Sequence, residues 1–223
     1  MPYQLDENIL KQSILPFRQA LQGGMSKRLT WKSGRFSTKA YARCNTTNGL
    51  FLRNNVTDKG KPKIALIVDC SGSMSGRPIH YAAHLCYILN VLHRSNNIDA
   101  RIFCSGSSMG SFKVPLPVPD EMWQYLQADH GTEYLSQTFH AHRREIVDCD
   151  LVACYTDADI SDHALKPSLW RTHGQSCVGL YCGHDHQAKV MRRYFDYSIA
   201  RKDVRDLFLE YLRLVKRLMG GDK

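Results

Sequence analysis

One acidic residue and two hydroxyl residues stand together directly before a predicted helix. They are Asp69, Ser71 and Ser73, in the run Asp69-Cys-Ser-Gly-Ser73, and they follow the apolar run 64–68. Carboxylate and hydroxyl oxygens are the ligands that hard divalent cations such as Mg²⁺ prefer. A tight loop that offers three such side chains therefore predicts a divalent-metal site.

Two further oxygen donors follow later in the chain. Thr132 comes after Gly131 on a loop that opens a predicted helix, and Asp157 comes after the apolar run 151–155. The carboxyl ends of parallel strands meet at one edge of a sheet, so we expect Asp157 and the first loop to lie close together. Thr138 is the alternative to Thr132, but it falls within the predicted helix and no glycine precedes it.

The elements that must position these residues are read from the spacing of apolar side chains. Predicted strands cover 64–69, 100–104, 150–155, 176–181 and 196–200. Predicted helices cover 78–93, 134–144 and 202–219, and the segment 161–172 contains a further helix. A further helix is a candidate at 120–127, and the segment 112–118 contains two prolines and is either an edge strand or a loop. This alternation predicts an α/β domain over 63–223, with a Rossmann-like, mostly parallel central sheet flanked by helices.

The first 62 residues form a basic extension with a different composition. Residues 1–63 contain twelve Lys and Arg against three Asp and Glu, whereas 64–223 contain eighteen of each, so the net charge of +9 arises entirely in the first segment. We predict helical pieces over 5–22, interrupted by Pro16, and a strand at 50–53. Such a segment attracts acidic protein surfaces or nucleic acid, although a solvated basic face is equally compatible with this charge.

A possible helix at 35–43 places three basic residues on one face. Arg35, Lys39 and Arg43 are spaced by four residues, which corresponds to about one helical turn. They are candidate partner-binding residues. Thr46 to Gly49 is predicted to be a turn.

The eight cysteines indicate a reducing compartment. Several stand in apolar, strand-like runs, and no C-x-x-C pair occurs. Buried free thiols are the expected state, because a disulfide framework is typical of smaller secreted chains. The start of the chain has no signal-peptide pattern, and the longest apolar run is far too short to cross a bilayer. A cytoplasmic location is the resulting prediction.

Several chemistries find little support in the sequence. There is no P-loop for ATP hydrolysis and no G-x-S-x-G around Ser71 for a hydrolase. His80 and His84 share a helix face but lack the glutamate of H-E-x-x-H. A zinc cluster remains an alternative with spacing that matches no standard site. Its residues would be Cys182, His184, Asp185 and His186, with His163 and His173 upstream.

The metal pattern resembles the metal-ion-dependent adhesion site of von Willebrand factor A domains, in which D-x-S-x-S is followed by a distant Thr and a distant Asp. The resemblance implies that Ser71, Ser73 and Thr132 bind Mg²⁺ or another divalent cation directly. It implies that Asp69 and Asp157 support the ion, often through water. It also implies that a partner protein supplies a carboxylate as the last ligand.

A narrower resemblance covers about residues 20–105. Lys32 to Ala40, Leu50 to Arg53 and Ile64 to Ile79 look like the C-terminal region of the CobT subunit of aerobic cobaltochelatase. That family acts with a ring-forming AAA+ ATPase, and another large subunit inserts the cobalt. The resemblance therefore implies a non-catalytic coupling subunit. Shortened CobT-like proteins also occur in phages and beside MoxR-type ATPases.

A second interpretation is a stand-alone structural or binding module, for example a viral one. The metal site and the basic extension would then bind another protein or nucleic acid. Trp31, Phe36 and Tyr41 stand among the basic residues, as in many nucleic-acid-binding segments. Docking of this segment against the 63–223 domain and an ATPase is favoured over nucleic-acid binding by the CobT-like motifs.

Overall fold

The computed structural model describes residues 4–22, 27–30, 35–36, 51–54, 61–106, 110–171, 177–184 and 186–220. The strands are β1 (Lys27–Thr30), β2 (Arg35–Phe36), β3 (Phe51–Asn54), β4 (Lys63–Asp69), β5 (Asp99–Ser105), β6 (Phe112–Val114), β7 (Leu151–Tyr155), β8 (Cys177–Cys182) and β9 (Tyr197–Arg201). The helices are α1 (Glu7–Gln22), α2 (Arg77–Arg94), α3 (Leu135–Ala141), α4 (Arg143–Val147), α5 (Pro167–Arg171), α6 (Gln187–Met191) and α7 (Val204–Gly220). Short 3₁₀ helices cover Gly72–Met74 and Asp120–Tyr125.

A six-stranded mixed sheet forms the centre of the fold, in the order β6-β5-β4-β7-β8-β9. Strands β5, β4, β7, β8 and β9 pair in parallel, and only the short edge strand β6 is antiparallel to its neighbour. Helices cover both faces. The domain therefore has the α/β, Rossmann-like fold that the alternation of apolar segments predicts.

The sequence of β4 shows why this strand lies at the centre. Side chains alternate between the two faces of a strand, so an apolar residue at every position suits a strand that is covered on both sides. Ile64, Leu66 and Val68 pack into a core layer with residues of α1, α2 and α7. Ala65 and Ile67 pack into the opposite layer, with residues of α3, α4, α5 and α6.

The helices of the second layer differ most from the sequence prediction. The single helix expected over 134–144 is divided into α3 and α4. The helix expected within 161–172 is present as the short α5. The 120–127 segment contains a 3₁₀ helix, 112–118 begins as the edge strand β6, and α6 was not predicted. These helices have five to seven residues, too few for an apolar periodicity to be recognised reliably.

The N-terminal helix α1 packs on the core through α2 and α7. It is a single helix that contains Pro16, not the interrupted pieces expected. Tertiary packing offsets the loss of one backbone donor at the proline. Leu10 is buried in the core, and the Asp6 backbone N–H donates to Nε2 of His84 over 2.9 Å.

The basic extension also contains a small antiparallel sheet in the order β1-β3-β2. Arg35 and Phe36 lie in β2, opposite Leu52 and Phe51 of β3, so the helix predicted over 35–43 is wrong at its start. Backbone pairing of β2 with β3 decides the conformation of these residues, and the helical spacing of the basic residues does not. Lys39, Arg43, Trp31, Tyr41 and the turn predicted at 46–49 lie outside the described residues.

The cysteines of the described part of the chain are free and buried, as expected. They are Cys70, Cys86, Cys104, Cys149, Cys154, Cys177 and Cys182. Cys44 lies outside the described residues. None of the described helices is both long and apolar enough to cross a membrane.

Candidate metal centre

Asp69 ends β4 and is fully buried. Its Oδ1 accepts a hydrogen bond from the Ser71 backbone N–H over 2.9 Å, and its Oδ2 accepts one from the Thr156 hydroxyl over 2.8 Å. Thr156 directly follows β7, the neighbouring strand. The carboxylate is therefore held from its own loop and from the next strand end.

Burial raises the pKa of Asp69 to about 6, against the hydrogen bonds from Ser71 and Thr156 that lower it. No Lys, Arg or His of the described residues forms an ion pair with this carboxylate. At neutral pH it is a buried negative charge with only neutral donors around it. Such a charge is costly until a cation approaches it.

The two serines lie on the short loop that joins β4 to α2. Ser71 is buried and Ser73 is exposed, and their hydroxyl oxygens are 3.1 Å apart. The Gly72–Met74 3₁₀ helix carries Ser73. One hydroxyl thus lies beside the buried carboxylate and the other lies at the surface.

Asp157 follows β7 and is half-buried beside this loop. Its Oδ1 accepts a hydrogen bond from the Asp159 backbone N–H over 3.0 Å. Burial raises the pKa of Asp157, while the Asp159 N–H and the nearby Ser73 hydroxyl lower it. The Gln187 amide donates to the Asp157 carbonyl over 3.1 Å and so ties the loop to α6.

Thr132 lies on a loop attached to the serine loop by backbone hydrogen bonds. The N–H of His130 donates to the Cys70 carbonyl over 3.0 Å, and the N–H of Gly72 donates to the Gly131 carbonyl over 2.9 Å. Gly131 has a φ of 79°, in the left-handed region where glycine is favoured. Thr132 is exposed, directly after this anchored glycine.

The same loop is held against the end of β5. A Cβ on Gly106 would lie 2.1 Å from the Cβ of His130, so only glycine allows this approach. The Tyr134 N–H donates to the Ser105 hydroxyl over 3.2 Å. Thr138, the alternative ligand, is buried in α3 and its hydroxyl donates to the Tyr134 carbonyl over 2.9 Å. Thr132 thus directly follows a residue bonded to the serine loop, whereas the Thr138 hydroxyl is engaged within its own helix.

Glu133, which was not singled out from the sequence, connects the Thr132 loop to the segment after Asp157. One carboxylate oxygen of this buried residue accepts hydrogen bonds from the Ser161 N–H, the Ser161 hydroxyl and the Asp162 N–H. Ser136 adds a second link, because its N–H and hydroxyl both donate to the Asp162 carboxylate. An acid next to the proposed ligand Thr132 is the sequence signal that could have suggested this role.

The donor set suits a hard cation that keeps several waters. The site has two carboxylates, and its other side-chain oxygens are hydroxyls, which fits Mg²⁺ better than a soft metal. Among the described residues, no three His, Cys, Asp or Glu side chains are grouped to hold a metal ion. The zinc alternative therefore gains no support from Cys182, His163, His184 and His186, while His173 and Asp185 lie outside the described residues.

The structure brings Asp69, Ser71 and Ser73 together on one loop. It attaches Asp157 to them through its neighbour Thr156, and Thr132 through backbone contacts of its neighbours. Arg35 belongs to the separate small sheet.

Comparison with known proteins supports the fold. No protein-family model and no curated protein matches the chain. The pilus adhesin SpaC from Lactobacillus rhamnosus GG has a similar structure, with a TM-score of 0.50 and 12% identity, over 73% of this chain and 30% of the adhesin chain. Proximal thread matrix protein 1 from the mussel byssus gives a TM-score of 0.48 and 15% identity, over 71% of this chain and 46% of that chain. The chain spans less than half of either structure, and at these identities the likeness concerns the fold alone.

Proposed function

We propose that the chain is a von Willebrand factor A-type module that binds Mg²⁺ or another divalent cation and couples a protein partner to an AAA+ ATPase. Ser71, Ser73 and Thr132 would hold the ion directly, supported by Asp69 and Asp157. The bound ion would supply a positive charge that a carboxylate of the partner can ligate. The chain itself would not be catalytic.

One observation carries the metal part of this proposal. The buried carboxylate of Asp69 has no cationic partner among the described residues, and two hydroxyls 3.1 Å apart lead from it to the surface. The second carboxylate, Asp157, directly follows Thr156, whose hydroxyl donates to Asp69, and the outer hydroxyl of Ser73 is near enough to lower its pKa. A divalent cation would compensate both charges with the ligand types that it prefers.

The ATPase part rests on the CobT-like motifs of residues 20–105. The free, buried thiols of the described residues suit a reducing compartment such as the cytoplasm, where AAA+ complexes of this kind act. A partner carboxylate could reach the site from the solvent side, because Ser73 and Thr132 are exposed.

Co-purification of the tagged chain with an ATPase tests the coupling role. We expect an AAA+ ATPase to be retained with Mg²⁺ and lost with a chelator or with Asp69→Ala. Asp148→Ala, a change of the same kind at the other end of the sheet, should leave the complex intact. A complex that survives both the chelator and Asp69→Ala would contradict the proposal.

The second candidate is a stand-alone binding module, which the charge distribution favours. All of the net charge of +9 arises in residues 1–63, so this segment could bind nucleic acid. Affinity for single-stranded DNA should then fall steeply between about 50 and 200 mM salt. Binding that is indifferent to salt would exclude this function.

A further inference from the structure

A groove of about 590 Å³ lies between the edge strand β9 and helix α7, at the side of the sheet away from β6. Charged side chains dominate its walls. They are Arg192, Arg201, Arg213, Arg217, Asp196 and Glu210.

Both acids of the groove are already paired. Asp196 has a side chain that is only 7% exposed, accepts from Arg171 over 2.5 Å and also accepts from the Cys177 N–H. Glu210 forms an ion pair with Arg201. The positive charge of the remaining wall is therefore in excess.

Three arginines supply that excess. Arg192, Arg213 and Arg217 form no ion pair with any residue that the structure describes. The Arg217 guanidinium instead lies 6.0 Å from the centre of the Tyr197 ring. The groove is thus complementary to an anion.

The groove also runs along an open edge of the sheet. Strand β9 pairs in parallel with β8, and no other described strand pairs with it. Ser198, the second residue of this strand, has a buried hydroxyl without a hydrogen-bond partner among the described residues. An unpaired strand edge offers backbone donors and acceptors to another extended segment.

The arginines of α7 follow the direction of that edge. Glu210 pairs with Arg201 at the end of β9, and Arg217 lies over Tyr197 at its start, so helix and strand run antiparallel. Arg213 and Arg217 are four residues apart, about 6 Å along the helix. Residues i and i+2 of a strand are separated by about 6.6 Å, so alternate side chains of an added strand match this spacing.

We infer that this groove binds an acidic segment of a partner protein, which adds to β9 as an extended strand and places alternate carboxylates against Arg213 and Arg217. The site is separate from the proposed metal centre and does not depend on it. Edge arginines can also serve only to prevent aggregation, and phosphates of nucleic acid would be attracted by the same charges. The experiment is designed to distinguish these possibilities.

Fluorescence anisotropy with a labelled nine-residue peptide of alternating Glu and Val tests the inference on the full chain. The test variant is Arg213→Glu/Arg217→Glu. The control is Arg143→Glu/Arg144→Glu on α4, which changes the net charge equally at two exposed residues. Circular dichroism and thermal melting establish that both variants are folded.

We expect the wild type and the α4 control to bind the peptide with affinities within about twofold. The groove variant should bind at least about tenfold more weakly, because two ion pairs become repulsive contacts. A peptide with proline at two alternate positions should also bind about tenfold more weakly, because it cannot complete the backbone ladder.

Three results would overturn the inference. The first is no binding of the Glu-Val peptide by the folded wild type, which leaves edge protection as the role of the arginines. The second is equal weakening in both variants, which indicates non-specific charge attraction. The third is tighter binding of a nine-nucleotide oligothymidylate, lost in the groove variant, together with indifference to proline in the peptide.

Discussion

Carboxylates at the two ends of the central sheet have different partners. At the amino ends of the strands, Asp148 accepts ion pairs from Lys63 over 2.9 Å and from Arg101 over 2.7 Å. At the carboxyl ends, Asp69 and Asp157 have hydroxyl and backbone N–H donors but no ion pair with any described residue. The same strands thus carry a neutralised end and an end with uncompensated negative charge.

The difference shows where the molecule lacks a counter-ion. The charge of Asp148 does not destabilise the fold, because its side chain is partly exposed to water and is paired with Lys63. Asp69 is fully buried, and burial of an unpaired charge destabilises a fold unless a ligand compensates it. Perturbed ionisable groups of this kind are concentrated at functional sites.

Removal of the Asp69 charge should change Mg²⁺ affinity more than any other substitution discussed below. We expect Asp69→Asn to weaken Mg²⁺ binding by about 100-fold, the upper range for changes to groups that support a metal. Asp148→Asn at the opposite end should leave the affinity within about twofold. Isothermal titration with MgCl₂ measures both. Equal affinities of the Asp69 variant and the wild type would remove the distinction between the two ends.

The same substitution should stabilise the metal-free protein. A pKa of about 6 against an ordinary value of 3.8 corresponds to a cost of about 3 kcal/mol at neutral pH. Asparagine keeps an acceptor for the Ser71 N–H, and the Thr156 hydroxyl can rotate to accept from the new amide. We therefore expect the free energy of unfolding in urea with EDTA to rise by up to about 3 kcal/mol.

Asp148→Asn is the control, and it should lower the free energy of unfolding slightly because it removes ion pairs at the surface. A loss of stability in Asp69→Asn without metal would contradict the assignment of an uncompensated charge.

Substitution of Glu133 should lower Mg²⁺ affinity less than Asp69→Asn does and more than Asp148→Asn does. Glu133→Ala leaves the Ser161 and Asp162 N–H groups without their acceptor, which costs about 1–3 kcal/mol. Because the Thr132 loop then loses one of its two links to the Asp157 segment, we expect Mg²⁺ affinity to fall by up to about tenfold. Glu133→Gln keeps a carbonyl acceptor and should restore most of the affinity. Loss of stability without any change in affinity would show that Glu133 has no role in positioning the ligands.

The pH dependence of stability should have opposite signs at the two ends. The pKa of Asp69 is raised, so the folded state binds more protons between pH 3.8 and about 6, and its contribution to stability falls as pH rises through this window. The Lys63 and Arg101 partners lower the pKa of Asp148, so its contribution is present above its unfolded value and is lost as the pH falls below about 4.

Urea denaturation without metal, from pH 3.5 to 7.5, measures these contributions as differences between each Asn variant and the wild type. The Asp69 difference should grow from pH 4 to 7, and the Asp148 difference should shrink at the acid end. Parallel curves for the two variants would show that the two ends are electrostatically alike.

The central strands and the first metal loop could be predicted from the sequence because their signals are local. The apolar run before Asp69 indicates a strand buried on both faces, and the two serines follow within four residues. The spacing of apolar residues likewise predicted α2 and α7 to within two residues.

Contacts between distant residues were not predictable in the same way. The Thr156 hydroxyl reaches Asp69 across 87 residues, and Glu133 reaches Ser161 across 28. Arg35 illustrates the reverse case, because pairing of β2 with β3 replaced the helix that its local charge spacing indicated. Tertiary contacts decide these positions, and a local pattern does not contain them.

The most direct test is a crystal structure of the protein grown with Mn²⁺, a substitute for Mg²⁺ with a measurable anomalous signal. The proposed metal centre predicts one strong anomalous peak in contact with the hydroxyls of Ser71 and Ser73, at the carboxyl ends of β4 and β7. The peak should be absent in Asp69→Asn crystals. No peak at this edge in the wild type, or a peak at Asp148 instead, would contradict the central claim.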